Sequence, residues 1–382
     1  MSPAAPPLPP DFAVEDHAFA ADLYKAARPP SGNLFLSPAS VRIALAMTAA
    51  GALGGTEEEM QRVLRLSEST QQNNAAMQAL LSALNAPGKE YELHVVDRLW
   101  AQAGASIKPA FSKTLETSFH SPLEQLDFEH ALEASRLKIN QWVKEQTAGK
   151  IDDLIRQGIL KPDARLVLTN AIYFKAKWTH QFNPRSTADA EFFGAAKTAQ
   201  VKTMRMIERF GYAEVPGAKL LELPYADGAL SMVIALPNAN DGLAALEKSL
   251  DGKTLDRWIA ALQSGNRVSV SLPKFKLESS FTLSETLKAM GMKSAFVFGP
   301  ADFSGIDGTR DFFIGEVVHK AFIDLDERGT EAAAATAVMM RAGSAMMRQP
   351  DPKEFKADHP FFFFIRDLAS GAVLFTGRVA DL

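Results

Sequence analysis

Apolar residues recur at helical spacing through much of the first half of the chain and at strand spacing through most of the second. Asp11 to Ala27 puts Phe12, Phe19 and Leu23 on one side. That predicts an amphipathic helix, broken by Pro29-Pro30-Ser31-Gly32. Leu34 to Leu36 reads as a short strand. Ser37 then caps a helix with Pro38 in its first turn, and Val41 to Ala50 is so apolar that it must be buried. Thr56-Glu57-Glu58-Glu59 predicts a capping box opening the next helix, and Thr70 to Leu84 predicts another. A strand from Leu93 to Ala101 leads through Ile107-Lys108-Pro109 into a helix ending at Ser118. Ala131 to Thr147 predicts a helix with Leu132, Leu137, Ile139 and Trp142 available for packing.

Strands then dominate: Leu166 to Trp178, Glu191 to Thr203, Tyr212 to Leu223, and the wholly apolar Leu230 to Leu236. Short helices are expected near 241–249, near 253–263 and from Thr282 to Met290. Arg267 to Leu272, Val317 to Leu325, Phe361 to Arg366 and Ala372 to Val379 complete the strands. The segregation of helices from strands points to an α+β fold. No repeat and no linker divides the chain. Residues 11–382 therefore read as one domain behind a disordered Pro/Ala-rich segment, residues 1–10.

One stretch does not fit this alternation. Asp326 to Pro350 lies between two buried strands and has little to bury, and a connection longer than about 15 residues is normally functional or disordered. Its residues admit three readings. Small and polar side chains suit a loop. Glu331 to Met340 has high helix propensity, with Thr330 as a cap. Laid out at a period of two, Thr330, Ala332, Ala334, Thr336, Val338 and Met340 form an uncharged face that could enter a sheet as a strand held in reserve.

Composition narrows the chemistry. The chain has 382 residues, 47% of them hydrophobic, and a formal net charge of −4, which argues against a bulk nucleic-acid or membrane-surface binder. It has no cysteine, so disulfides, zinc–thiolate sites and cysteine nucleophiles are excluded. No apolar run is long enough to cross a membrane. The N-terminus lacks the basic and apolar regions of a signal peptide. His-Glu-x-x-His, Gly-x-Ser-x-Gly, P-loop and Gly-x-Gly-x-x-Gly patterns are absent, and the seven histidines show no metal spacing.

Glu327-Arg-Gly-Thr-Glu-Ala-Ala-Ala-Ala-Thr-Ala337 closely resembles the hinge of the serpin reactive-centre loop. Six other stretches resemble that family, in its order: Asn33–Ser40, Thr169–Trp178, Leu272–Phe275, Asp302–Ile306, His319-Lys320, and the end, Ala357–Ile365 with Phe375–Val379. The resemblance runs from about residue 12 to 380. It implies three sheets, about nine helices and an exposed loop at about 329–352. A protease cuts that loop, which then inserts into the largest sheet and carries the acylated enzyme to the far pole. On the same resemblance Gly329, Thr330, Glu331, Ala332, Ala333, Ala334, Ala335 and Thr336 form the hinge. Trp178, Lys274 and Glu327 lie where insertion begins. Ser37, Ser40, Asn170 and His319 form the polar cluster that lets the central strands part.

The family's spacing puts the cleaved bond at Gly343–Ser344, though glycine offers nothing to a specificity pocket. Arg341 suits a trypsin-like pocket, and Met340 or Ala342 an elastase- or chymotrypsin-like one. Counting back from Phe355 brings Met346, Met347 and Arg348 into play. The implied function is irreversible suicide-substrate inhibition of a trypsin-, elastase- or subtilisin-like serine protease, with a cysteine protease as the lesser alternative. No metal or other cofactor is expected, and no heparin, because heparin-activated members of the family carry basic residues on the helix that corresponds to Thr70–Leu84, which here has no Lys or Arg. Two other classes compete: a non-inhibitory serpin acting as carrier or chaperone, and a hydrolase, which no spacing supports. A monomer is expected, extracellular or in the cell envelope by resemblance, with the cytoplasm left open.

Overall fold

The computed structural model describes residues 7–86, 89–147, 149–330 and 351–382. Among them are ten α-helices, six of them before the strand Leu166–Lys177, and fifteen strands in two hydrogen-bonded sheets. The fold is α+β, as expected. A six-stranded sheet contains, in order, Phe275–Thr282, Ile314–Asp326, Gly329–Thr330, Leu166–Lys177, Tyr91–Gln102 and Glu124–Leu126. Nine further strands form the other sheet. A third separate sheet is not present among the described residues. The reason is Thr198–Val215, an 18-residue strand that pairs with Ala188–Phe193, then Gln263–Pro273, then Ala218–Pro224, and so joins the two groups.

The large core lies between the sheets and the N-terminal helices. Pro38–Ala49 is buried on every side, as its apolar sequence requires. A smaller core of Trp100, Phe128, Ile139, Val143 and Val167 sits under the helix Leu132–Gln146. The central strand Leu166–Lys177 is therefore covered on both faces, which is why it reads as a continuous apolar run.

Several expectations fail at element boundaries. Glu191–Thr203 and Tyr212–Leu223 are each two strand segments, because a break at 194–197 falls inside the first window and a turn at Pro216-Gly217 inside the second. The strands Glu124–Leu126, Phe275–Thr282 and Lys353–Lys356 were not anticipated; two are very short, and the third follows its predecessor after one residue. Thr56 does not open a helix. Gly54–Leu64 starts two residues earlier without a side-chain cap, and the Thr56 hydroxyl accepts the Asp302 N–H at 2.9 Å. Leu137 is 53% exposed, on the helix face turned away from the small core. Of the Pro/Ala-rich lead-in, residues 1–6 lie outside the described residues; Leu8 packs on the core and the Pro9 carbonyl accepts the Phe12 N–H.

Candidate functional site: a seam parted at one end

Leu166–Lys177 and Ile314–Asp326 run parallel and pair directly from Leu168 opposite Val317 to Tyr173 opposite Phe322. Beyond that point they part. Gly329 and Thr330 fill the fork, antiparallel to both strands. Thr330 lies between Ala176 and Leu325, and Gly329 between Lys177 and Asp326. The seam is closed along its middle and wedged at one end by two residues.

Only glycine fits at 329. Its φ is +149°, and a Cβ there would lie 2.0 Å from the Ala176 carbonyl oxygen. Thr330 is fully buried, and its hydroxyl shares a 2.9 Å hydrogen bond with the Tyr225 hydroxyl. Burial raises the Tyr225 phenol far above its ordinary value despite the Thr330 bond, so it stays neutral. Trp178 stacks on Tyr225 with centroids 4.5 Å apart, and Phe174 meets it edge-on at 5.2 Å. The Trp178 indole N–H donates to the Asp326 carbonyl at 3.1 Å, and its backbone N–H to Arg328 O at 2.8 Å. The fork is thus lined by aromatic rings on the core side.

An ion pair closes its other side. Lys274 Nζ lies 2.8 Å from Glu327 Oε2, and the Thr187 hydroxyl donates to Glu327 Oε1 at 2.8 Å. The Glu327 side chain is 10% exposed and that of Lys274 36%, so the pair sits at the rim of the fork with its cation half in solvent. Burial alone would raise its carboxyl; hydrogen bonds from Lys274 and Thr187 outweigh that and hold it below the ordinary range.

Midway along the closed seam, His319 and Asn170 face each other across the two strands. A one-way chain of hydrogen bonds passes through them. The Ser37 backbone N–H donates to His319 Nε2 at 3.2 Å, which leaves Nδ1–H to donate to Asn170 Oδ1. The Asn170 amide donates to Ser40 Oγ at 2.6 Å and to Asp97 Oδ1 at 2.5 Å, and the Ser40 hydroxyl donates to Asp97 Oδ1 at 3.0 Å. Ser37 Oγ caps the helix by accepting Ser40 N–H, and donates to Leu374 O at 2.6 Å. Burial pushes the His319 imidazole down to about 3, so it is neutral.

The fold therefore gathers Gly329, Thr330, Trp178, Lys274 and Glu327 at the parted end, and Ser37, Ser40, Asn170 and His319 in one buried cluster. Glu331, Ala332, Ala333, Ala334, Ala335, Thr336, Met340, Arg341, Ala342, Gly343 and Ser344 lie outside the described residues, as do Met346, Met347 and Arg348. Two members went unread in the sequence. Tyr225 sits in a loop after a strand and carries no local signal. Asp97 did leave one: at strand spacing it falls on the same face as Leu93, Leu99 and Ala101, a lone carboxyl on an apolar face. Among the described residues no group of three His, Cys, Asp or Glu side chains is placed to hold a metal ion. No helix among them is long and apolar enough to cross a membrane.

The family model for serpins, described as serine protease inhibitor, matches residues 15–382. The chain belongs to the serpin family. This serpin is 39% identical over 374 residues to human leukocyte elastase inhibitor, covering 95% of this chain and 97% of that one. It is 40% identical over 367 residues to an uncharacterized serpin-like protein of Thermococcus kodakarensis, covering 96% and 84%. Among solved structures it is similar to Serpin48 of the insect Tenebrio molitor, with TM-score 0.87, 35% identity and coverage of 97% and 98%. Human thyroxine-binding globulin, solved in complex with its ligand, is also similar, with TM-score 0.87, 28% identity and coverage of 97% and 98%.

Proposed function

We propose that this serpin is an irreversible suicide-substrate inhibitor of serine-type endopeptidases, whose loop enters the parted seam after cleavage. The observation that carries the reading is the register of Gly329 and Thr330. Continued along the same register, each further residue meets one residue earlier on both flanking strands. Ala332 would then lie between Phe174 and Ile323, Ala334 between Ile172 and Ala321, and Val338 between Leu168 and Val317. Those flanking residues all belong to the large core, and the entering face carries no charge. Thr336, the next hydroxyl on that face, would come between Asn170 and His319, where it could replace the bond they share. Glu331 would lie on the opposite face, between Lys175 and Asp324.

The energetics favour such a step. Insertion would form on the order of 10 new ladder hydrogen bonds at roughly 1 kcal/mol each. About 14 residues at ~3.3 Å each would carry the loop's cut end some 45 Å along the sheet. The closed form persists behind a barrier, so its stability is kinetic. The target is a serine protease. The cut falls within 340–348, where Arg341 would suit a trypsin-like pocket and Met340 or Ala342 an elastase- or chymotrypsin-like one. The protein is not itself a catalyst in this reading.

The test is to mix it with trypsin, elastase and subtilisin and run a denaturing gel. A band at the summed mass is expected. Thr330→Arg should abolish that band and turn the protein into a plain substrate, because position 330 is fully buried against Tyr225. Undiminished complex formation by Thr330→Arg would remove the basis of the reading.

A second reading, ligand carriage, is favoured by an apolar cavity of about 710 Å³ lined by Val215, Leu246, Thr254, Arg257 and Trp258. Clean cleavage of the wild-type protein with the protease left active would support it.

A further inference from the structure

Asp97 stands at the end of the one-way chain in the mid-sheet cluster, and its two oxygens are treated unequally. Oδ1 accepts from both Asn170 and Ser40. Oδ2 is buried and has no hydrogen-bond partner among the described residues. Titratable or charged groups near it are few. His319 is neutral and spends its Nδ1–H on Asn170. Arg98, next on the strand, projects to the other face, where it stacks on Trp142 at 4.1 Å and pairs with Glu124 at 2.7 Å. Asp97, Arg98 and His120 all line a cavity of about 270 Å³, and His120 is exposed. Among the described residues that line this cavity, those from helices are Ile43, Leu81, Trp142 and Gln146, with Asn85 at a helix end, none of them charged. Among the described residues no cation is paired with the Asp97 carboxyl, and a buried charge without a partner is strongly disfavoured.

We propose that Asp97 is the positioning residue of the cluster: it enters the closed seam as a neutral acid with its proton on Oδ2, and the parting of Leu168–Tyr173 from Val317–Phe322 releases that proton to solvent. The inference rests on the reading that this seam opens. As a neutral acid, Asp97 receives the Asn170 amide on Oδ1 and so turns the Asn170 carbonyl toward His319. When the strands separate, His319 leaves Asn170, water reaches the cluster, and Asp97 ionises. Burial raises the Asp97 carboxyl well above its ordinary value, and the bonds from Ser40 and Asn170 only partly oppose that, in agreement with the geometry.

The sign follows from linkage. The closed seam binds one more proton than the open one between the ordinary carboxylate range and the raised value. Closure is therefore favoured below that window and weakened as pH rises through it, by up to ~tenfold per pH unit. Opening of the seam becomes easier in base.

The experiment compares wild type with Asp97→Asn, which keeps an oxygen for Asn170 and Ser40 but cannot ionise. A labelled synthetic peptide copying residues 330–342 is offered to the intact protein between about pH 5 and pH 8, the side of the ordinary value on which a raised carboxyl titrates. The rate of its uptake is measured. The wild-type rate should climb with pH relative to the variant's, by several-fold across the range. Parallel profiles overturn the proposal. If neither protein takes up peptide, the reading of an opening seam fails instead, and the thermal midpoints of the two proteins still decide about Asp97. The wild type should lose midpoint relative to Asp97→Asn as pH rises, and a constant difference again overturns the assignment.

Discussion

Two seams of this molecule are almost completely buried, and they are built on opposite terms. Between Phe361–Asp367 and Val373–Val379 the face that carries Phe361, Phe363, Ile365, Phe375 and Val379 is wholly apolar. Phe363 lies over Gly377, whose Cβ would come within 2.6 Å of the ring, and packs on Phe35 and Phe275 with centroids 6.0 and 5.5 Å away. Between Leu166–Lys177 and Ile314–Asp326, the middle of the seam is Asn170 against His319, with Ser37, Ser40 and Asp97 behind them. An apolar seam that parts loses its burial and gains nothing in return. A hydrogen-bonded seam that parts can pair again with whatever enters. The contrast teaches which strands of a packed protein can separate without unfolding it.

The contrast breaks if the two seams respond alike to damage. Phe363→Ala should cost about 3–5 kcal/mol of stability in denaturant unfolding, through the lost ring and the cavity it leaves. It should leave uptake of the 330–342 peptide little changed. Asn170→Ala should cost less, about 1–3 kcal/mol, because it strips partners from His319, Ser40 and Asp97. It should nevertheless speed peptide uptake. Equal acceleration by both variants would show that any loss of stability opens the sheet, and the distinction between the seams would be lost.

The smallest effect tests the parted end. Glu327→Gln removes the pair with half-exposed Lys274 and should cost under about 1 kcal/mol at neutral pH. The folded carboxyl sits below its ordinary value, so its contribution is present above the ordinary range and is lost as pH falls through the lowered value. The unfolding midpoints of wild type and variant should therefore differ at neutral pH and converge toward about pH 3, below the ordinary carboxylate range. Midpoints that diverge in acid would contradict the assigned direction.

Much of this was legible in the chain. The buried helix Pro38–Ala49, the apolar central strand and the α+β class follow from runs and periods of apolar residues. So does the uncharged face from Thr330 to Met340. Boundaries were less legible where a turn was short, as at Pro216-Gly217, because a two-residue break hardly disturbs an alternating pattern. The polar residues at the mid-sheet could be named only through resemblance, since a lone His or Asn in a strand has no local signature of its partners.

The sequence by itself determined that a long, small-residue segment with one uncharged face stands between two buried strands. That information is local and survives in composition and period. Only the tertiary structure decided where the segment's first two residues dock, that Tyr225 meets Thr330, and that Asp97 ends a chain of donors with one oxygen unpaired. Those facts depend on residues from 57 to 149 positions apart in the chain being brought within hydrogen-bond reach, and no local pattern encodes a distance of that kind.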